Sequence, residues 1–371
     1  MSEERFSPAP RFTRREVLGL LGAGAAAALA ARPVLGSQEA RGAVIRTVRE
    51  DVPPSALAGG TTLFHEHLSH SPDWNQRMAA RPSQAARPPF VPRRDPITGC
   101  PSDVWAGCDN LDFMVEELVR SKRDGVVCIV DGSQSDRNVA FLTEMSRRSG
   151  VSIVASGGYY VEEMHPPEVA TMSEDEIARV FIRDATVNAL GAFGEMGTSD
   201  EVTPNERKVF RAVGIAHRAT DLPIFTHTAN GAGAEEQLDI LESAGVRPER
   251  VAIGHLGSVA SPAVDVHKTI CARGAFVGFD RQGGRSDEMN VLMILELVAA
   301  GYADRLLISA DFGVNVWPSW QQNGGPGVSR ALTVFVPKLR AAGVSDETLR
   351  GITEGNPRRF LACVPKIPRR A

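Results

Sequence analysis

Eight short apolar runs, each followed by a stretch of different periodicity, constrain the fold of this chain more than any other feature. The runs are TTLFHEH (61–67), GVVCIVDG (125–132), VSIVASGG (151–158), AFGEMG (192–197), PIFTHT (223–228), RVAIGHL (250–256), GAFVGFD (274–280) and RLLISAD (305–311). Continuous apolar runs of this length suit parallel strands covered on both faces. Between them lie helical stretches such as LDFMVEELVRSKR, SDRNVAFLTEMSRRSG, SEDEIARVFIRDATVNAL and PNERKVFRAVGIAHRAT. Ser173 and Glu176 have the spacing of a capping box, and Pro204 suits a first helical turn. Eight such units predict an α/β fold of the (β/α)8 TIM-barrel type, with its active site at the C-terminal ends of the strands. A doubly wound sheet uses the same units, but no Gly-x-Gly-x-x-Gly follows an early strand. No repeat longer than the βα rhythm is present.

The 371 residues accommodate one such barrel. It is expected over residues 57–362, after an entry segment at 32–56 and before a tail at 363–371. Residues 71–109 break the rhythm with a Pro-, Arg- and Ala-rich insertion. Following the first strand, this segment is either a lid or pocket wall on the active face, or disordered decoration. Residues 1–31 are of another kind. Arg14 and Arg15 precede an apolar, alanine-rich run from Val17 to Ala31 that is too short for a comfortable membrane span, which takes roughly 20 residues. A basic start, an apolar middle and Ala28-Leu29-Ala30 resemble a twin-arginine signal peptide, so a periplasmic or secreted location is expected.

Hydrophobic residues make up 43% and charged residues 23%, with a formal net charge of -4 and no long basic block in the body of the chain. That leaves no electrostatic ground for a nucleic-acid partner and suits a soluble enzyme. Of the five cysteines, Cys128 and Cys271 read as buried small hydrophobes. Cys100 and Cys108 share one loop and are either a disulfide or two free thiols. No Cys-x-x-Cys pair exists, which disfavours a thiolate zinc site.

Polar residues interrupt the apolar runs at their ends. His65 and His67 end the first strand, Glu195 lies in the fourth, and His227, His255 and Asp311 end the fifth, sixth and eighth. In a strand, residues two apart share a face, so His65 and His67 project together with Glu66 turned away. In a closed barrel all six converge on one mouth. A lone strand histidine is usually a satisfied core residue, but six metal-type ligands on five strand ends are poorly explained by independent core roles. Four imidazoles and two carboxylates suit divalent zinc, cobalt or manganese, and six ligands exceed one tetrahedral centre. Two ions are therefore expected, with Glu195 as the bridge, His65, His67 and Asp311 on one ion, and His227 and His255 on the other. The other histidines, His70, His165, His217 and His267, read as loop or helix-surface residues.

These residues, in this order, resemble the phosphotriesterase-related branch of the amidohydrolase superfamily. LFHEHL, EMGTSDEVTPNERKVFRAVGIAHRATDLPIFTHT, GVRPERVAIGHLG, ISADF and EGNPRRFL carry the resemblance from about residue 57 to about residue 362. It implies a binuclear metal barrel that hydrolyses lactones, carboxylic esters or phosphotriesters, and a homodimer. His65, His67, His227, His255 and Asp311 match the family's metal ligands. Glu195 stands where phosphotriesterases and many lactonases carry a carboxylated lysine, and where phosphotriesterase homology proteins have Glu. FDRQGG resembles the Asp-Arg-x-Gly of phosphotriesterase-like lactonases, which makes Asp280 and Arg281 pocket residues or else an internal ion pair. Tyr159 matches a tyrosine near the metals, with Tyr160 directly after it.

The resemblance thus implies a lactonase or esterase, and the N-terminal signal-like segment its export. A metal-bridging hydroxide attacks, Asp311 accepts the proton, and Tyr159 and Arg281 orient the substrate. Phosphotriesterase activity is the alternative; an amide hydrolase or a metal-binding barrel without turnover are further ones.

Overall fold

The eight apolar runs form eight strands of one parallel sheet in a computed structural model that describes residues 41–69, 80, 110–134, 137–259, 261–282, 286–312 and 320–369. The strands are β1 (Thr61–Glu66), β2 (Val126–Asp131), β3 (Ser152–Gly157), β4 (Ala192–Gly197), β5 (Ile224–His227), β6 (Val251–Ile253), β7 (Phe276–Phe279) and β8 (Leu306–Ile308). Each pairs in parallel with its sequence neighbour, giving the strand order of a (β/α)8 barrel. The first and last strands share no ladder. Their seam is closed by backbone bonds from Asp311 to the His65 carbonyl (3.2 Å) and from His67 to the Phe312 carbonyl (2.7 Å).

Helices α1 (Leu111–Arg123), α2 (Val139–Ser149), α3 (Glu174–Val187), α4 (Pro204–Thr220), α5 (Ala234–Ser243), α6 (Asp265–Arg273) and α7 (Ser286–Ala299) cover the strands. Their starts are written locally. Asn110 and Asn138 accept the amides of Phe113 and Phe141, and the Ser173–Glu176 capping box forms. Thr203 and Glu206 make a second box, with Pro204 at the first turn of α4.

Two apolar layers follow from strand alternation. Phe64, Val130, Val154, Ala192, Phe225, Ala252, Phe276 and Leu307 fill the barrel interior, with Ile45, Leu57, Phe360 and Leu361 in the same cluster. Leu63, Ile129, Ile153, Phe193, Ile224 and Val277 face outward onto helix residues such as Leu118, Leu142, Phe181 and Phe210. The described residues belong to one compact unit within Ser37–Ala371. Among them no helix is long and apolar enough to cross a membrane. The expected signal segment, His70, the Cys100–Cys108 pair and the 71–109 insertion (Ala80 apart) lie outside the described residues.

Candidate metal centre

Strand β1 is irregular where its histidines begin. Three steps along β1, from Leu63 to Glu66, match two along β2, from Ile129 to Asp131. Such a bulge re-aims side chains. It lets Phe64 fill the barrel interior while His65 and His67 also turn inward, so simple alternation from Phe64 would have misplaced both. The His65 ring packs edge-on against Phe225 at 5.2 Å and stands 5.5 Å from the ring of His67.

Glu195 sits at the middle. Its Oε1 lies 2.7 Å from His227 Nδ1, 2.7 Å from His255 Nε2 and 3.5 Å from His65 Nε2, while Oε2 lies 3.9 Å from His67 Nε2. Asp311 Oδ1 is 2.9 Å from His67 Nε2 and 3.9 Å from His65 Nε2. Two groups of ligand atoms, His65–His67–Glu195 and Glu195–His227–His255, each lie within 4.8 Å of one another and share Glu195. All six expected residues are thus brought together. His255 and Asp311 hold left-handed backbone at φ 61 and φ 53, a conformation costly for non-glycine residues and frequent at functional sites.

The donor set fits divalent metal ions. His65 Nδ1 donates to Asp280 Oδ2 at 2.8 Å, which leaves Nε2 as the lone-pair nitrogen. That Nε2 is fully buried, has no hydrogen-bond partner, and stands beside Glu195 and Asp311. A buried acceptor of this kind is costly unless something fills its lone pair. His255 is held likewise, its Nδ1 and backbone amide both donating to Asp280 Oδ1 at 3.0 and 2.9 Å. The close group His65–His255–Asp280 is therefore a hydrogen-bonded support, the usual arrangement behind metal-binding imidazoles.

The electrostatics agree. Burial opposes ionisation of Glu195, Asp280 and Asp311, yet the imidazoles around them, with Arg281 at Asp311, hold all three below the ordinary carboxylate range. Burial pushes His227 down to about 4, keeping it a neutral donor. At His65 burial acts downward, but Glu195 and Asp280 outweigh it and favour a proton. A bound cation would displace that proton.

Two sequence expectations need correction. Asp280 is no pocket residue: it has no exposure and anchors two imidazoles from beneath. It is not paired with Arg281 either, whose Nε donates to Asp311 Oδ2 at 2.9 Å and whose side chain is 35% exposed at the mouth. Tyr159 does not reach the cluster. Its ring packs edge-on against Phe181 of α3, whereas the Tyr160 hydroxyl lies 3.1 Å from both ring nitrogens of His227. Adjacent residues at a strand exit face opposite ways, and the barrel's centre took the second.

The remaining described histidines are structural. His165, His217 and His267 donate to the carbonyls of Tyr160, Leu222 and Leu256, and burial lowers all three. His267 is buried on α6, not surface-exposed.

Sequence reasoning passed over two residues. Gln134 donates to Glu195 Oε2 at 3.1 Å from a loop with no recognisable pattern. Glu66 is completely buried, and burial pushes its carboxyl up to about 8 against the pull of three donors. A carboxylate aimed away from the cluster inside a buried strand needs such donors, and that signal was available.

The phosphotriesterase family model matches residues 43–361. The phosphotriesterase homology protein of Escherichia coli K12 is 32% identical over 277 residues, covering 71% of this chain and 94% of that one. A crystal structure of the E. coli protein, complexed with phosphate in its active site, superposes with a TM-score of 0.68 at 30% identity, covering 81% of this chain and 98% of that one. An aryldialkylphosphatase of Saccharolobus solfataricus is 33% identical over 67% of this chain and 84% of its own. An N-acetyltaurine hydrolase of Rattus norvegicus is 27% identical over 85% and 97%.

Proposed function

Because the chain belongs to the phosphotriesterase family of metal-dependent hydrolases, we propose that it opens lactones or carboxylic esters at a centre of two divalent ions, zinc, manganese or cobalt, and that it is exported. Export rests on the twin-arginine pattern around Arg14 and Arg15.

Tyr160 carries the ester assignment. A hydroxyl 3.1 Å from His227 and the Arg281 guanidinium on Asp311 both border the cluster. Donors so placed can orient an acyl oxygen and stabilise charge developing on it. When bound, the two cations would polarise that oxygen and lower the pKa of water in the site. His65, His67 and Asp311 would hold one, His227 and His255 the other, with Glu195 shared. Asp311 takes the proton from the attacking water as the water oxygen bonds to the acyl carbon, and returns it to the alkoxide that departs as the acyl carbon–oxygen bond breaks. The hydrogen bond from His67, with smaller contributions from His255 and Arg281, outweighs burial and keeps Asp311 ionised for that task.

Amides are the second candidate class, since several relatives are N-acetyltaurine hydrolases. Phosphotriesters are the third, and the glutamate bridge in place of a carboxylated lysine weighs against them.

The test is acid release in a pH-stat by protein starting near residue 32, loaded with zinc or manganese. Lactones, aryl esters, an amide and one phosphotriester are compared, with Asp311→Asn as control. Lactone or ester turnover lost in the variant is the expected result. Silence on both, with two metals bound per chain, overturns the ester assignment.

A further inference from the structure

Glu66 lies between the two β1 histidines, but its carboxylate turns to the opposite side of the strand. It accepts three hydrogen bonds. Oε1 takes the Ser309 hydroxyl at 2.7 Å and the Ala310 amide at 2.9 Å; Oε2 takes the Phe312 amide at 2.6 Å. All three donors come from the exit of β8, and the two amides flank Asp311 on either side.

That exit needs restraint. β8 has no ladder with β1, and Asp311 holds φ 53, a conformation that persists only where its surroundings impose it. Three convergent donors call for a carboxyl group, whose two oxygens can accept all three at once; an amide would aim its own N–H at a donor. Ser309 extends the link, its hydroxyl accepting the His65 amide at 3.1 Å while donating to Glu66.

We infer that Glu66 is a positioning residue for Asp311: by clamping the peptide units on both sides, it sets the Asp311 carboxylate against His67 and Arg281 and ties the β1 ligands to the β8 proton acceptor. The inference rests on Asp311 being a metal ligand and the proton acceptor.

The test titrates metal-free wild type, Glu66→Gln, Asp311→Asn and the double variant with Co(II), followed by visible absorption. Glu66→Gln should weaken one of the two Co(II) ions by about 10- to 100-fold, the usual range for an outer partner of a metal ligand. On an ester that is turned over, kcat should fall by a similar factor with KM within a few-fold. The double variant should bind cobalt no more weakly than Asp311→Asn alone, because Glu66 acts through Asp311. Wild-type cobalt binding in Glu66→Gln, with only its melting temperature lowered, would reduce Glu66 to a structural residue and overturn the inference. So would losses that multiply in the double variant. Wild-type cobalt affinity in Asp311→Asn would remove Asp311 from the ligand set, and the inference with it. If Glu66→Gln does not fold, Ser309→Ala decides: a smaller loss in the same direction supports the clamp, and unchanged cobalt binding sinks it. The cobalt measurements need no substrate, so failure to hydrolyse esters bears on the proposed function alone.

Discussion

Asp280 Oδ2 stands 2.8 Å from His65 Nδ1 beneath the cluster, and neither side chain has any exposure. The other Asp280 oxygen holds His255, so one carboxylate orients imidazoles assigned to both halves of the centre. In Asp280→Asn only one oxygen remains to accept, and the amide opposes the second imidazole. Metal affinity should fall about 10- to 100-fold. Metal content after dialysis against a graded chelator checks this; two firmly held ions in the variant would refute the support role.

Asp311→Asn keeps the shape of the site and removes the carboxylate proposed as proton acceptor. Turnover should drop by roughly 10²- to 10⁴-fold, the usual worth of a positioned base. Initial rates across substrate concentration read the loss in kcat. Near-wild-type kcat would reassign the proton to another group.

Tyr160→Phe and Tyr159→Phe separate the two adjacent tyrosines. Removing the hydroxyl beside His227 should cost about tenfold in kcat/KM, the worth of one hydrogen bond of roughly 1.4 kcal/mol. Tyr159→Phe keeps the packing on Phe181 and should leave catalysis unchanged. The opposite pattern would restore Tyr159 as the substrate-facing residue.

His217 and His267 are buried as neutral donors, and burial lowers both from an ordinary value of 6.5. A histidine depressed in the folded state contributes stability above its unfolded pKa, and this is lost as pH falls toward the folded value. Their contribution to the melting temperature should therefore decline below about pH 6.5. His217→Asn and His267→Gln place an amide donor near the lost ring nitrogen without the titration. The double variant should show a flatter decline between about pH 7 and pH 5 than wild type. Parallel curves would mean these two histidines do not set the slope.

Much of the barrel was legible because its signals are local. Apolar runs mark strands buried on both faces, and Ser173–Glu176 and Pro204 mark helix starts within a few residues. The six clustered side chains were legible too, because each ends or interrupts an apolar run where a polar group needs a strong reason to be. The roles of Tyr160 and Asp280 were not, and each failure has a physical cause. Which of two adjacent tyrosines faces inward depends on how the chain leaves β3. Whether Asp280 lines a pocket or supports two imidazoles depends on what lies 215 residues away at His65.

The order of apolar runs and the residue types at their ends, which are properties of the chain alone, determined a parallel barrel with a metal-type ligand set at its mouth. Only the closed structure decided the roles within that set. Sharing Glu195 between two groups, aiming His65 Nε2 inward, and holding Asp311 in left-handed backbone all depend on the β1 bulge and the β8–β1 seam. These join residues some 244 positions apart, and no spacing along the chain encodes a distance that exists only once the barrel closes.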